Sequence, residues 1–320
     1  MSSSAPRVAI IVLTWNQRDL TLDCLASLNA MRYPPESLLL IVVDNGSADG
    51  TAQAIRERYA DVVMLENSEN LGFAEGNNVG IRYAMERSMD YVMLLNNDTV
   101  VDAAMLTNLL DVAEKDPSVG IVGPKMLYFE PSDVIWCAGN RINWTTGGLI
   151  RLQAEQPDGM ADEVLADVDY ITGCGICLRR AVIEQVGMLD PRFFIYYEES
   201  DWCLRAQQTG WRVVYVSQAR LWHKVSAAMG TASPATDYYM ARNVLLFIAK
   251  HQRGLIKARL MAQIAGRTLL AIAAYTVKPH GGARIPNRNA RLLALRDALL
   301  GRWGKMGADV AAVCYPRKTG

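Results

Sequence analysis

The fold is decided by one stretch, Tyr91-Val-Met-Leu-Leu-Asn-Asn-Asp98, in which a short apolar run ends in two amides and a carboxylate. An apolar run of this length, bounded by polar residues, is typical of a buried β-strand. Similar runs come earlier, separated by amphipathic segments, at Val8–Leu13, Leu38–Val43 and Val62–Leu65. This alternation predicts an α/β protein with a parallel sheet and helices on its faces.

Polar residues follow each predicted strand. They are Thr14 to Asn16, Asp44 to Ser47, Asn67 to Asn70, and Asn96 to Asp98. In open parallel sheets, ligands bind beyond the carboxyl ends of the strands. We therefore expect these polar groups to meet at one edge and to form a binding site there.

Asp44 directly follows an apolar strand and precedes Asn-Gly-Ser, a pattern that suits hydrogen bonding to a nucleoside at a strand-to-helix turn. An alternative is that Ser47 or Asp49 caps the next helix, which is compatible with ligand binding. Both interpretations remain open at this stage.

The residues Asn96-Asn97-Asp98 supply oxygen ligands at a strand end, where a divalent cation that bridges a diphosphate is held. Magnesium needs only one or two protein carboxylates in addition to substrate phosphates, so Asp98 alone is sufficient. The alternative is a turn in which Asp98 caps a helix that begins at Asp102.

An acidic run, Glu198-Glu199-Ser200-Asp201, follows the aromatic stretch Phe193 to Tyr197. Apolar surroundings and neighbouring like charges raise the pKa of a carboxyl group, so one of these acids can serve as a general base. The competing interpretation is that the acids neutralise a helix N-terminus. His223, just beyond a later strand, could complete a metal shell, although a lone histidine is usually structural.

The bulk composition favours one large globular domain with an extension. The chain has 320 residues, 51% hydrophobic and 21% charged, which excludes a disordered chain. The six cysteines show no zinc spacing, and Cys174-Gly-Ile-Cys177 indicates buried thiols in a reducing cytoplasm. No signal peptide is recognisable before Val8, and no GxGxxG or P-loop motif occurs, because Gly72, Gly76 and Gly80 recur every fourth residue.

The C-terminal part is strongly basic. From Lys250 onward, 14 basic and two acidic residues give a net charge of +12. Such asymmetry indicates contact with an anionic surface, and the lack of interleaved stacking aromatics argues against nucleic acid. The apolar segment Leu255–Val277 is interrupted by Lys257, Arg259 and Arg267, so we expect it to lie on a bilayer surface rather than to span it.

The remaining elements are predicted from periodicity. We expect an irregular wall with a mobile loop (153–162) over residues 119–168, a strand over 170–178, helices over 179–186 and 199–209, and a strand over 212–216. The domain is expected to close near Gly230. Basic helices then follow from Thr236, with a break over Pro279–Asn289.

Together the motifs resemble family 2 glycosyltransferases of the GT-A fold, especially bacterial rhamnosyltransferase-like members. The similarity covers residues 7–225, and seven motifs occur in the family's order: Thr14-Trp15-Asn16, Val43 to Gly50, Glu69 to Asn78, Asn96 to Asp98, Thr172-Gly173, Glu198 to Arg205, and Trp222-His223. Each motif is weak alone, but their common register is specific.

This resemblance implies a Rossmann-like nucleotide-binding α/β/α sandwich over residues 1–230, with a nucleotide half (1–125) and an acceptor half (126–230), followed by a basic helical extension over 231–320. It implies a divalent metal, Mg²⁺ or Mn²⁺, on Asp98 and His223, and Glu199 as the catalytic base. The expected nucleotide-sugar contacts are Thr14, Asn16, Asp44, Ser47, Asn70, Gly72, Asn77 and Asn97. The expected acceptor contacts are Thr172, Gly173, Glu198 and Asp201.

The sequence departs from the family pattern at two positions. Asn96 replaces the first acid of the DxD motif, and Glu199 stands where the family has aspartate. The resemblance implies inverting sugar transfer from dTDP-rhamnose, or secondly a UDP-sugar, to a glycan or polyprenyl-linked acceptor at the inner face of the cytoplasmic membrane. The alternatives are a sugar-nucleotide pyrophosphorylase, disfavoured because Thr14 to Arg18 contains no glycine, and a degenerate glycan-binding module, suggested by Asn96.

Overall fold

The computed structural model describes residues 5–159, 165–224, 233–277 and 284–316. Its strands are β1 (Val8–Thr14), β2 (Leu38–Asp44), β3 (Val63–Glu66), β4 (Tyr91–Asn96), β5 (Thr99–Val101), β6 (Val119–Tyr128), β7 (Ile135–Cys137), β8 (Asn140–Asn143), β9 (Gly148–Arg151), β10 (Leu165–Asp167), β11 (Gly175–Arg179) and β12 (Arg212–His223).

The helices alternate with the strands in the first half and follow one another in the last third. They are α1 (Arg18–Asn29), α2 (Thr51–Arg58), α3 (Gly72–Glu86), α4 (Met105–Lys115), α5 (Arg180–Val186), α6 (Glu198–Gln208), α7 (Pro234–His251), α8 (Gly254–Val277), α9 (Arg284–Leu299) and α10 (Ala308–Cys314).

The chain divides into two compact units. The first comprises Met1–Arg141, Ile150–Leu189 and Glu199–Val225, and the second comprises Ile142–Leu149, Asp190–Glu198 and Ser226–Gly320. The predicted domain end at Gly230, the end of the predicted loop at 160–162 and the start of the predicted break at 279–283 lie outside the described residues.

The first unit is built on one large sheet, which confirms the predicted α/β class. Its strand order is β10-β12-β6-β11-β4-β1-β2-β3, with β5 and β7 added beside β12 and β6. The four strands β3, β2, β1 and β4 run parallel, and the antiparallel β11 joins β4 to β6. Apolar residues in the middle of β1, β2 and β4, such as Ile10, Val42 and Leu94, are fully buried.

Small residues let helix α3 approach this sheet closely. A Cβ atom on Gly80 would lie 2.6 Å from Ile11, and one on Gly76 would lie 2.7 Å from Leu13. The four-residue spacing places both glycines on one face of the helix. Gly76 and Gly80, whose spacing does not match a dinucleotide-binding motif, therefore allow α3 to pack closely on the sheet.

Three predictions for the central region were wrong. Residues 119–128 form the long buried strand β6 rather than an irregular wall, because Gly120, Gly123 and Pro124 are accommodated inside the sheet. Strand β12 continues to His223, past an irregularity between Val216 and Arg220. Strand β11 begins only at Gly175, because Thr172 to Cys174 form the turn that leads into it.

The second unit is helical. Helix α7 begins with a helix N-cap. Ser233 accepts a hydrogen bond from the Thr236 amide, and Pro234 occupies the first turn. Residues of α7, α9 and α10 form a buried core. Its members are Ala235, Tyr238, Tyr239, Ala241, Ala290, Ala294, Val310 and Cys314.

Helix α8 buries one narrow stripe, Leu260, Ile264, Thr268 and Ile272, which recur every fourth residue. The opposite face exposes Leu255 and Leu270, with 89% and 71% of their surface accessible. Within the described part of the chain, α8 is the one helix whose length and apolar composition match those of a membrane-crossing segment.

Candidate active site

The strand register brings the predicted polar residues to one edge of the sheet. Thr14 pairs with Asp44 at the ends of β1 and β2, and Leu13 pairs with Asn96 at the end of β4. Thr14 and Asp44 are buried. The residues that follow these strands therefore leave the sheet at the same edge.

The turns after β1 and β2 are joined by hydrogen bonds. The Asn16 amide donates to Ser47 Oγ (2.9 Å), and the Ala48 amide donates to Asn16 Oδ1 (2.7 Å). Asp44 Oδ1 accepts from the Ser47 amide at 2.9 Å. Asn16 has a left-handed backbone, with φ of 52°. Ser47 thus connects the two turns and does not cap α2, whose start is bonded by Asp49 instead.

The turn before α3 is shaped by amide side chains. Asn70 Oδ1 accepts from the Gly72 amide at 2.8 Å, and Asn45 Nδ2 donates to the Gly72 carbonyl at 3.0 Å. Gly72 has φ of +81°, a conformation that glycine adopts without strain. Asn70 and Gly72 therefore fix the loop that adjoins the strand ends.

The amide groups of Asn77 and Asn97 are used inside the fold. Asn77 Nδ2 donates to the Phe73 carbonyl at 2.9 Å. Asn97 Nδ2 donates to Thr14 Oγ1 (3.2 Å) and Thr21 Oγ1 (3.0 Å). Asn97 therefore connects the ends of β1 and β4. Asn77 and Asn97 are both buried. The structure shows their donor groups supporting the edge.

Asp98 and His223 lie side by side. Strands β5 and β12 pair antiparallel with His223 opposite Thr99, and the Lys224 amide donates to the Asp98 carbonyl at 2.8 Å. His223 Nε2 is 3.2 Å from Asp98 Oδ1, and each residue is 7% exposed. Strand β5 separates Asp98 from helix α4, so Asp98 is not the cap of that helix.

His223 is packed by two residues that the sequence analysis did not assign to the site. The Trp136 ring meets the imidazole edge-on at 4.6 Å, and Cys174 Sγ is 3.8 Å from Nε2. Burial lowers the pKa of His223, but Cys174 and the Asp98 carboxylate outweigh it and raise the pKa to about 10. The neighbouring Asp98 and Cys174 side chains thus favour the charged form of the imidazole, and burial opposes it.

Cys174 also contacts the residue that departs from the family motif. Asn96 Nδ2 lies 3.3 Å from Cys174 Sγ, and the Asn96 amide donates to the Cys174 carbonyl at 3.3 Å. The sequence signal was the position of Cys174 directly after Thr172-Gly173, at the start of a strand beside β4. The side chain of Asn96 is thus directed into the sheet edge.

The Asp98–His223 pair fits a divalent cation that completes its shell with diphosphate oxygens. Asp98 Oδ1 is buried without a hydrogen-bond partner, and His223 Nε2 lies 3.2 Å from it. Magnesium uses one or two protein carboxylates together with substrate phosphates. Over the described ranges, no group of three or more His, Cys, Asp or Glu side chains is arranged around a cation, so the protein by itself does not enclose one.

The acidic run opens helix α6. Glu199 is partly exposed as a residue, but its Oε2 is buried without a hydrogen-bond partner. Burial raises the pKa of Glu199 to about 7. A carboxylate with such a pKa is available as a base near neutral pH. The acids also lie in the first turn of α6, so the helix-dipole interpretation holds as well.

Asp201 has a structural contact in the same helix. It is fully buried, and its Oδ2 accepts from Arg205 Nε at 2.9 Å. Arg205 Nη2 also donates to the Met188 carbonyl (2.7 Å), and Trp202 Nε1 donates to the Gly187 carbonyl (2.7 Å). These bonds attach α6 to the turn after α5.

Thr172 and Gly173 lie at the same sheet edge, in the turn before β11. A Cβ atom on Gly173 would come within 2.6 Å of the Phe73 ring, so a larger residue there would require the ring to move. A pocket of about 320 Å³ adjoins His223 and is lined by Tyr128, Phe129, Glu130 and Lys224. The edge thus combines the hydrogen-bonded turns after β1 and β2, the Asp98–His223 pair and an open pocket.

A mixed α/β sheet with polar turns at its strand ends is the arrangement of glycosyltransferases with the GT-A fold. The chain belongs to the family described as glycosyltransferase like family 2, whose model matches residues 6–244. It is an enzyme of that family, and its relatives include bacterial rhamnosyltransferases.

Two curated relatives and one solved structure illustrate the similarity. The chain is 28% identical over 273 residues (77% of this chain, 85% of the relative) to the N-acetylglucosaminyl-diphospho-decaprenol L-rhamnosyltransferase of Mycobacterium tuberculosis. It is 22% identical over 254 residues (75% and 79%) to the dTDP-rhamnosyl transferase RfbF of Shigella flexneri. It shares the fold of a mannosyltransferase from Pyrobaculum calidifontis, solved with GDP-Man and Mn²⁺, with a TM-score of 0.58, 18% identity and coverage of 94% and 89%.

Proposed function

We propose that the protein transfers a sugar, with inversion, from a nucleoside-diphosphate donor to a glycan or lipid-linked glycan acceptor in bacterial cell-envelope synthesis. The observation that carries this proposal is the joint register of the ends of β1, β2 and β4, which brings Thr14, Asp44 and Asn96 to one edge of the sheet, directly before Asn97 and Asp98. The names of the relatives support the envelope role.

The nucleotide is assigned to the interlocked turns. Thr14, Asn16, Asp44 and Ser47 line the exits of β1 and β2, and their mutual hydrogen bonds fix them before a ligand arrives. Asn70, Gly72, Asn77 and Asn97 shape the neighbouring backbone. Such preorganisation lowers the ordering cost of binding.

Asp98 and His223 are assigned to the divalent cation, Mg²⁺ or Mn²⁺. When bound, the cation would neutralise charge on the departing diphosphate, which is worth several kcal/mol in typical metal-dependent enzymes. His223 Nε2 lies 3.2 Å from Asp98 Oδ1, so the two side chains can act on the same cation beyond the end of β4. The imidazole has to lose its proton before Nε2 can act as a ligand.

Glu199 is assigned as the general base. Its carboxylate removes the proton from an acceptor hydroxyl, the hydroxyl oxygen forms a bond to the anomeric carbon, and the bond from that carbon to the diphosphate oxygen breaks. Attack from the opposite face inverts the configuration. A base of this kind typically contributes about 10² to 10⁴ in rate.

The acceptor is assigned to the turn before β11 and the start of α6. Thr172 and Gly173 border the strand ends, and Glu198 precedes the base. Asp201, which sequence analysis placed in this group, is bonded to Arg205 and positions α6 instead. We therefore expect Asp201 to influence the acceptor only through the helix.

The donor is tested by a panel of dTDP-rhamnose, UDP-sugars and GDP-mannose, with release of nucleoside diphosphate as the readout, with and without Mn²⁺. The rhamnosyltransferase relatives favour dTDP-rhamnose, with UDP-sugars second. Turnover of one donor that depends on metal supports the proposal. Binding of a donor without release of nucleoside diphosphate, in the presence of metal and acceptor extracts, indicates the degenerate binding module.

Helix α8 is assigned to peripheral contact with the inner face of the cytoplasmic membrane. It contains Lys257, Arg259 and Arg267 and no acid, and its outward face exposes Leu255 and Leu270. Basic residues beside an anionic bilayer contribute about 1 kcal/mol each, and apolar side chains add to the binding. The basic charge and the exposed apolar face thus lie on the same helix.

Vesicle sedimentation tests this assignment. Leu270→Glu should weaken binding to phosphatidylglycerol vesicles by about tenfold or more, because it places a charge in the apolar contact. Ile150→Glu is the matched control, since Ile150 is an exposed apolar residue of the first unit. Equal binding of wild type to phosphatidylglycerol and phosphatidylcholine vesicles contradicts the electrostatic part of the proposal.

A further inference from the structure

The segment Asp190–Glu198 belongs to the second unit and continues directly into Glu199. Its backbone is unusual, because Phe194, Tyr196 and Tyr197 have φ angles of 65°, 71° and 76°. Bulky residues in the left-handed region are strained, and they persist only where surrounding contacts hold them. Such strain concentrates at functional sites.

Asn243, on helix α7, supplies those contacts. Its Nδ2 donates to the carbonyls of Phe193 (2.7 Å), Ile195 (2.8 Å) and Tyr196 (3.0 Å). An amide has two N–H groups, so one hydrogen is shared between two of the carbonyls. Asn243 is fully buried. One side chain thus bonds three carbonyls of the strained turn.

Arg242 fixes the direction in which this amide points. Its Nε donates to Asn243 Oδ1 at 3.0 Å, which leaves Nδ2 facing the carbonyls. The guanidinium also donates to the Phe193 carbonyl (3.3 Å) and to Tyr238 Oη (3.2 Å), and it lies over the Tyr239 ring at 5.0 Å. Arg242 is 1% exposed, so all of this occurs away from water.

The start of the segment is also anchored to α7. Lys250 Nζ donates to Asp190 Oδ2 at 2.6 Å. Burial acts to raise the pKa of Asp190, but hydrogen bonds from Arg192 and Lys250 hold it well below its usual range. The carboxylate is therefore charged at neutral pH. Helix α7 thus bonds both the start of the segment, at Asp190, and the strained turn at 193–197.

We propose that Asn243, oriented by Arg242, is a positioning residue for the catalytic base: it holds the left-handed turn at 193–197 so that Glu199 is presented correctly to the acceptor hydroxyl. This inference rests on the proposed function of Glu199. It assigns to helix α7 a part in the reaction that lies outside the nucleotide and metal sites. Small misplacements of a reacting group commonly cost about 10²-fold in rate.

The test replaces the amide donor with an isosteric acceptor, Asn243→Asp, and compares acceptor-dependent turnover with donor affinity. We expect kcat for transfer to fall about 10- to 100-fold, while the dissociation constant of the donor stays within about twofold. Arg242→Lys, which keeps the charge but loses the planar fork, should give a smaller fall in the same parameter. If Asn243→Asp does not fold, Arg242→Lys carries the test.

The control is Ala262→Gly, at an exposed position inside helix α8 of the same unit, which weakens that helix and is not part of the buried core against which the segment packs. A purely structural role for Asn243 predicts that both variants lose active protein in proportion to their stability, with unchanged kcat per folded molecule. That result overturns the proposal, and so does unchanged kcat in folded Asn243→Asp.

A double variant separates this inference from the proposed function. If Asn243 acts through Glu199, adding Asn243→Asp to Glu199→Gln should reduce turnover by less than about twofold further. Independent, multiplicative losses overturn the inference alone. If Glu199→Gln retains wild-type turnover, the proposed function of Glu199 fails, whatever Asn243→Asp does.

Discussion

The strand-end edge of the first unit and the strained turn at 193–197 of the second unit are held in place by different kinds of contact. At the edge, short hydrogen bonds between adjacent turns, such as Asn16 to Ser47, fix polar groups beside their own strands. The turn has no strand to support it and depends on Asn243, about 50 positions later in the chain. Under the proposed function, the donor site is therefore held by local contacts, and the position of the base depends on tertiary contacts.

The largest expected effect is on the base itself. Glu199→Gln keeps the shape of the side chain but removes proton acceptance, so turnover should fall about 10² to 10⁴-fold while donor affinity is retained. Nucleoside-diphosphate release and donor titration measure the two quantities. Glu184→Gln, on the exposed face of α5, is the control. Loss of donor affinity in Glu199→Gln would place the residue at the donor edge and remove the contrast between the regions.

The next effect concerns the metal pair at the strand-end edge. Asp98→Asn removes the carboxylate charge, and we expect the Mn²⁺ concentration for half-maximal turnover to rise about tenfold or more. His223→Gln should act in the same direction. Asp23→Asn, which removes an exposed partner of Lys224, should leave the metal requirement unchanged. Unchanged metal dependence in Asp98→Asn contradicts the assignment.

Substitution of one helical glycine in each unit compares how closely the two helices are packed. Gly80→Ala places a Cβ 2.6 Å from Ile11 and should lower the free energy of unfolding by about 1 to 3 kcal/mol. Gly266→Ala on α8 meets nothing within 4 Å and should raise it by about 0.5 to 1 kcal/mol. Urea denaturation of both variants measures the difference. Equal signs would show that α3 is not closely packed on the sheet.

The smallest effect is the pH dependence of stability that Glu199 causes. Its pKa in the folded protein is raised to about 7 from an ordinary 4.5, so the folded state binds the proton more tightly than the unfolded state. Stability is therefore lost as pH rises from 4.5 through 7, by on the order of 1 kcal/mol, because the residue is partly exposed. Glu199→Gln should abolish this loss and be the more stable protein at pH 8. A parallel pH dependence of the two proteins contradicts the burial of Oε2.

Much of the first unit was predictable from sequence. Apolar runs ending in polar residues defined β1, β2 and β4, and parallel pairing necessarily brings their carboxyl ends together. The predicted α/β class and glycosyltransferase activity are confirmed. Strand β6 was missed because its glycines and Pro124 are read as turn signals, although sheet neighbours decide their conformation.

Contacts that join residues far apart in the sequence were not predictable in either unit. Cys174 reaches His223, and Asn243 reaches the Phe193 carbonyl, and no local period records such pairs. A signal was present nonetheless: Arg242 and Asn243 interrupt an otherwise apolar helix, Tyr238 to Ile248. Buried polar side chains require partners, so such an interruption indicates a specific contact.

The central claim is that Glu199, whose Oε2 is buried, is the base of a glycosyl transfer. The pH dependence of kcat/KM for the donor selected by the panel tests this claim most directly. We predict that kcat/KM rises about tenfold per unit below pH 7 and levels off above it, because Glu199 must be ionised and its pKa is about 7. A value of kcat/KM that is already maximal at pH 5 and constant to pH 8 would contradict the account.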